Sequence, residues 1–184
     1  MQRVIVLGNA GSGKSTLATK LAQIVGVPVV HLDAFFWQPG WQPSPRLEWA
    51  ERVRALAEQD AWIMDGNYAA TLPLRLARTD HVILLDVPRV QCIYRVVRRG
   101  MRTRGQSRPD LAAGCREQWP EPSFIRWIWR FPVDELPPML RHLAEFAAPH
   151  FAVTRLSASQ VAPFLAQVAA GTGSSATLAA REAT

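Results

Sequence analysis

Apolar residues along this chain fall into two alternating patterns. Short runs rich in β-branched residues, at 3–7, 29–32, 61–65, 81–86 and 151–156, predict five strands. Between them, apolar residues recur at helical spacing. Leu17, Leu21 and Ile24 predict a helix over 14–25, and others are expected over 45–59, 90–102, 133–146 and 158–168. Ser44 is the expected N-cap of the second, with Pro45 in its first position. Shorter helical pieces are expected at 72–77, 111–119 and 123–130. Strand alternating with helix predicts an α/β domain built on a parallel sheet. Trp49, Trp62, Trp127 and Trp129 sit at strand or helix spacing and are expected in the core.

Two stretches escape both patterns. Phe35-Phe36-Trp37-Gln38-Pro39-Gly40-Trp41 is too aromatic for an ordinary exposed loop, and Pro39-Gly40 argues against a regular element. Its rings are expected to plug the core or to wall a pocket, with Trp37 and Trp41 the better wall candidates. Residues 171–184 are small and polar without a hydrophobic period, which predicts a disordered tail. One domain over 1–170 is therefore expected, with an insert at about 33–60 and a lid at about 100–132.

The chain has 184 residues, enough to bury a substantial core, and no apolar run of membrane-spanning length. It opens directly into a strand, so no signal peptide is expected and the predicted address is cytoplasmic, with no membrane partner. Cys92 and Cys115 lie on different segments without metal-ligand spacing and are expected to be buried or bystander thiols. The net charge of +6 is unevenly placed. Ten arginines lie between Arg89 and Arg130 against Asp110, Glu117 and Glu121, a local charge of +7, so the rest of the chain sums to −1. That segment is expected to meet phosphate in some form.

The chemistry starts at Gly8-Asn9-Ala10-Gly11-Ser12-Gly13-Lys14-Ser15-Thr16, a full G-x-x-x-x-G-K-[ST] match set between a predicted strand and a predicted helix. Glycines let successive backbone N–H groups curl around phosphate oxygens, and the following helix aims its positive end at them. Gly8, Gly11, Ser12, Gly13 and Thr16 are thus expected to cradle a nucleoside triphosphate. Lys14 is expected to reach its β/γ-phosphates and Ser15 to hold Mg²⁺.

Two strand-ending acids compete to anchor the metal shell. Asp65 is followed by the site-like loop Gly66-Asn67-Tyr68, whereas Asp86 ends the stronger apolar run but precedes Pro88, which suits a strand exit. Asp65 is the assigned ligand. Asp33 follows the second strand, where open α/β sheets place ligands; it is expected either to face an acceptor hydroxyl or to form an Asx-type turn. Its neighbour His31 is expected to be a satisfied core histidine. Arg95, Arg99 and Arg102 share one helix face, Arg98 lies one residue off it, and Arg104 and Arg108 follow in a loop whose composition suggests mobility. No acid interleaves between Arg89 and Arg108, so a phosphate clamp is expected to relieve their repulsion.

These motifs resemble the adenylate-kinase-like branch of the P-loop kinases over nearly all of residues 1–168. Asp65-Gly66 stands where that family has a D-G pair, and Asp86-Val87-Pro88 followed by Arg95 and Arg99 matches its D-V-P…R-x-x-x-R pattern before the lid. The resemblance implies a three-layer P-loop NTPase fold on a five-stranded parallel sheet with an arginine-rich lid. It also implies ATP and Mg²⁺, with Arg95 packing on adenine and Arg99 on the ATP phosphates. Within the branch, Leu32-Asp33…Trp37-Gln38-Pro39-Gly40-Trp41, Asp65-Gly66-Asn67-Tyr68 and Arg104-Gly105-Gln106-Ser107-Arg108-Pro109-Asp110 resemble the bacterial DNA topology modulation proteins.

The chain departs from the family on the acceptor side. Adenylate kinases follow D-G with F-P-R, whose arginine grips the acceptor's phosphate; here Asn67-Tyr68-Ala69 carries none, and no T-G-D-x-x-R pattern is present. Unless Arg46, Arg52 or Arg75 substitutes, a nucleoside monophosphate does not fit.

Two functions follow. In the first, the protein is a small-molecule kinase. Lys14, Asp33, Arg99, Arg104 and Arg108 act on the phosphoryl group and acceptor, while Asp33, Trp37, Trp41, Asn67 and Tyr68 line the acceptor pocket. In the second, an ATP-dependent regulatory or topology-modulating protein contacts nucleic acid through the basic segment. No helix-turn-helix, zinc or ribbon signature supports the latter. Oligomeric state is not legible.

Overall fold

The computed structural model describes residues 1–106, 110–146 and 151–182, with 172–182 as backbone alone. In chain order the elements are β1 (Arg3–Gly8), α1 (Lys14–Val25), β2 (Val29–His31), α2 (Leu32–Phe36), β3 (Trp37–Gln38), β4 (Gln42–Pro43), α3 (Arg46–Ala57), β5 (Trp62–Asp65), a 3-10 turn (Ala69–Thr71), α4 (Leu72–Leu76), β6 (His81–Leu85), α5 (Arg89–Thr103), α6 (Pro122–Asp134), α7 (Leu136–Glu145), β7 (Ala152–Leu156) and α8 (Val161–Glu182).

All five predicted strands form one parallel sheet in the order β2-β5-β1-β6-β7. Continuous apolar runs arise because helices cover both faces, so both sets of alternating side chains are buried. Ile5 and Leu7 of β1 pack toward Trp49 and Val53 of α3, Leu72 and Leu76 of α4, and Met139 and Leu143 of α7. Val4 and Val6 point the other way, toward Leu17 and Leu21 of α1, Cys92 and Val96 of α5, and Leu165 of α8. Shifting β1 by one residue would exchange these two sets. The sheet's centre therefore holds β1 still, and the phosphate loop leaves its carboxyl end. From β1 the chain departs toward β2, whereas from β6 it departs toward β7, so the loop opens where the sheet's connections diverge.

Several expectations are corrected. Residues 111–119 are not helical. Gly114 adopts φ 82°, and the segment spends its backbone groups on the turn after α5: Gly105 N–H donates to Glu117 O (2.8 Å) and Glu117 N–H to Gln106 O (2.9 Å). Pro39-Gly40 does not exclude regular structure; with Trp41 it forms the turn of the β3–β4 ribbon, Gly40 and Trp41 both at positive φ. Ser44 does not cap α3. Its hydroxyl and N–H both donate to Phe36 O (2.6 and 2.9 Å), closing the ribbon, and Pro45 takes the cap position. Helix α6 continues through Pro132 to Asp134, and the break falls at Glu135, before Pro137 and Pro138 at the start of α7. The backbone of α8 is helical to Glu182, past the end at 168 that spacing predicts. Trp49 and Trp62 are buried and Trp127 packs against the core, but Trp129 is nearly half exposed, lying under the Arg89 guanidinium at 3.8 Å from its ring centroid. Both cysteines are buried free thiols.

Candidate phosphate-binding and acceptor site

Packing explains two glycines of the loop and open space explains a third. A Cβ at Gly8 (φ 144°) would lie 2.8 Å from Leu85 O, and one at Gly11 (φ 79°) 2.4 Å from Cys92 O, so neighbouring backbone excludes any side chain. Gly13 (φ 103°) has nothing within 4 Å of its Cβ position. It is the N-cap of α1, and no side chain caps that helix. The first-turn N–H groups of α1 thus point into open space, and the Ser12 hydroxyl is buried without a hydrogen-bond partner. This is the geometry that receives phosphate oxygens. Ser15 and the exposed Thr16 occupy the same first turn. Lys14 Nζ folds back to donate to Asn9 O (3.1 Å).

The cradle is fixed from outside. Arg95 Nη1 donates to Ser12 O (3.1 Å), and Asn9 Nδ2 donates to Ile128 O of α6 (2.8 Å). Asn67 pairs with Gly8 twice: Gly8 N–H donates to Oδ1 (3.1 Å) and Nδ2 donates to Gly8 O (2.9 Å). Both ends of the Asn67 amide are therefore spent on the phosphate loop.

Two carboxylates stand beside the loop. Asp65 ends β5 in register with Val6 of β1 and is buried. Its Oδ2 lies 2.8 Å from His31 Nδ1, and His31 Nε2 lies 3.4 Å from Thr19 Oγ1, which donates to Ser15 O (2.9 Å). His31 is thus the partner of the site carboxylate and not a mere core histidine. Burial depresses its pKa, but hydrogen bonding and charge from Asp65 outweigh that and leave it raised. Asp86 lies apart, exposed and bridged to Arg155 of β7 (2.9 Å). Asp33, in α2, accepts from the Tyr68 hydroxyl (2.5 Å). Although Asp33 touches solvent, crowding by surrounding protein raises its pKa, against the lowering effects of the Tyr68 hydrogen bond and Lys14. Asp33 also feels the charges of Lys14, Asp65 and Asp110.

Aromatic rings continue the wall. Tyr68 packs on Phe36 and Trp49 (centroids 4.8 and 4.9 Å), Phe36 on Trp37 (4.9 Å), and Trp37 on Trp41 (5.5 Å). Trp41 is also a tie to the lid, since its Nε1 donates to Arg116 O (3.1 Å). Beside it, Cys115 Sγ contacts Gln38 O (3.2 Å).

Beneath the site lies a residue whose role is not legible from spacing. Arg75 is fully buried; Nη1 donates to Gly66 O (2.9 Å), and Nη2 to the carbonyls of Asn67 and Tyr68 (2.5 and 3.3 Å). Burial lowers its pKa to about 9, which keeps it cationic at neutral pH. Arg75 thus folds the Gly66–Tyr68 loop and is not free to replace the missing acceptor-gripping arginine. Arg52 is likewise occupied, donating to Phe35 O (2.8 Å).

An arginine of the basic segment has an acidic partner. Arg99 Nε pairs with the buried Glu117 carboxylate (2.8 Å), an acid eighteen residues on that local spacing does not reveal. Arg104 lines a lid groove of about 400 Å³ with Arg116 and Trp119. Arg108 lies outside the described residues. A larger groove of about 580 Å³, between α5 and α6, is apolar and touches no residue of the phosphate loop.

No family model and no curated protein matches the chain. Solved structures do match: a gluconokinase from Sinorhizobium meliloti 1021 (TM-score 0.53, 17% identity, covering 100% of this chain and 98% of that one) and a shikimate kinase from Bacteroides thetaiotaomicron (TM-score 0.51, 15% identity, covering 91% and 96%). The chain therefore has the α/β fold of P-loop kinases.

Proposed function

We propose that this protein is an ATP-dependent small-molecule kinase, transferring the γ-phosphoryl group to a hydroxyl acceptor. The observation that carries this reading is the open, uncapped cradle at Gly13 next to Lys14, with Asp65 tied to its first turn through His31 and Thr19. The gluconokinase and shikimate kinase likenesses support it at the level of fold.

Ser15 and Asp65 fit Mg²⁺, since both offer hard oxygen donors beside the loop, linked through His31 and Thr19. Mg²⁺ held there would neutralise charge on the substrate's phosphates. The loop N–H groups orient the triphosphate, and Lys14 compensates charge on the transferring group. Asp33 accepts the acceptor's proton; its raised pKa makes it a better base, and the Tyr68 hydroxyl, whose own pKa is raised by burial, remains a donor that aims it. Arg99, released from Glu117, meets the phosphates with Arg104 and Arg108 from the lid, and Arg95 faces the adenine. Trp37 and Trp41 shelter the acceptor from water. Asn67 acts through the loop it clasps.

A screen for ADP release against nucleosides, monophosphates and hydroxylated metabolites tests the reading, with a DNA-stimulation arm alongside. Asp33→Asn is expected to lower transfer roughly 10²-fold while ATP affinity holds, as for loss of a general base. Asp65→Asn is expected to raise the Mg²⁺ requirement instead. A shifted Mg²⁺ requirement in Asp33→Asn with none in Asp65→Asn would reverse the two roles.

The alternative, a nucleic-acid-acting protein of the topology-modulation kind, draws on the basic segment alone. Three of its ten arginines have local partners: Arg99 with Glu117, Arg130 with Asp134, Arg89 with Trp129. Arg99→Ala is expected to reduce ATP turnover at least tenfold, equally with and without DNA. Full turnover with salt-dependent loss of DNA binding would favour the alternative.

A further inference from the structure

Among the described residues of α2 to α4 and the loop after β5, no arginine is free to grip an anion on the acceptor side, and the reason is visible in where these arginines go. Arg75 lies beneath the loop after β5. Its fork is consumed by the carbonyls of Gly66, Asn67 and Tyr68, and it is fully buried. Arg52 is held against Phe35 O on the outer side of α2. Arg46, Arg54 and Arg78 are exposed on α3 and after α4. What faces the acceptor region instead is the Asp33–Tyr68 pair, continued by the rings of Phe36, Trp37 and Trp41.

A phosphate or carboxylate placed against that wall would meet the Asp33 carboxylate, to which the Tyr68 hydroxyl already donates, while Lys14 is the cation the phosphate loop aims at the nucleotide. Like charges in a partly desolvated site repel strongly, and an anion there would also lose hydration without a donor to replace it. Aromatic faces have the opposite preference, favouring flat, apolar or cationic groups.

We infer that the acceptor is an uncharged or cationic hydroxyl compound with a flat or apolar face, and that this site rejects phosphates and carboxylates. The inference rests on the kinase reading above. In the reaction, the acceptor hydroxyl oxygen bonds to the γ-phosphorus as the bridging bond to ADP breaks. ADP leaves with the electron pair, and the hydroxyl proton passes to Asp33.

The test uses the full chain. First, binding of AMP-PNP with Mg²⁺ is measured in wild type and Lys14→Ala; failure of wild type to bind would remove the kinase reading itself. With AMP-PNP·Mg²⁺ saturating the loop, affinities are then measured for adenosine against AMP, glucose against gluconate, choline against glycolate, and for inorganic phosphate. Turnover of each hydroxyl compound with ATP is followed by ADP release. The expected result is no binding of phosphate, AMP, gluconate or glycolate, and kcat/KM at least tenfold higher for the neutral or cationic member wherever transfer occurs. Tighter binding or faster transfer for the anionic member of any pair overturns the inference. So does an extended screen of neutral and cationic alcohols in which none is phosphorylated by a protein that binds AMP-PNP·Mg²⁺ normally.

Discussion

Lys14→Ala is expected to reduce ATP turnover by roughly 10²–10³-fold, the loss seen when one preorganised charge-stabilising group is removed from a transition state. The argument is geometric. Lys14 is the first residue of α1 and emerges beside the open Gly13 cradle, where backbone N–H groups alone hold partial positive charge. Its ammonium donates to Asn9 O, an exchangeable contact that a phosphate oxygen would replace. Folding is expected to be unaffected, because the side chain is only half-buried and closes no core contact. Steady-state turnover paired with thermal unfolding checks both halves. Wild-type turnover in the variant would sink the phosphate-loop assignment.

Arg75→Ala is expected to cost about 4 kcal/mol of stability, since it strands the carbonyls of Gly66, Asn67 and Tyr68 and opens a cavity beneath them. Tyr68 sits at φ 37°, a conformation a tyrosine rarely adopts unless its surroundings hold it. Removing the guanidinium is therefore expected to release Tyr68 from Asp33 as well. Arg75→Lys keeps the charge but loses the fork, and is expected to recover only part of the loss. Urea unfolding measures the change; a loss below about 1 kcal/mol would mean that water satisfies the three carbonyls as well as Arg75 does.

The strands and the phosphate loop were legible because each depends on nearest neighbours in sequence. Val4-Ile5-Val6-Leu7 can only be a strand buried on both faces, and Gly8 through Thr16 encode their own backbone path. The aromatic loop was half legible: its density announced a wall, but ribbon formation depends on Ser44 reaching back to Phe36. Residues acting at long range were hidden. Nothing near Glu117 marks it as the partner of Arg99, nor does anything near Arg75 say that its fork closes on a loop seven to nine residues earlier. Segment 111–119 misled because its apolar spacing suits a helix, whereas its backbone pairs with Gly105 and Gln106.

The Asn67 clasp on Gly8 adds one rung to the β1–β5 ladder using a side chain, past the point where β5 itself has ended. That rung ties the phosphate cradle directly to the loop that follows the Asp65 carboxylate. For the proposed kinase, the protein's share of aligning cradle with carboxylate would then be spent during folding, once, and not at each turnover. Substitutions that loosen the clasp, such as Asn67→Ala, would appear as a slower chemical step in a protein that still binds ATP, with the cause lying in alignment and not in any missing catalytic group.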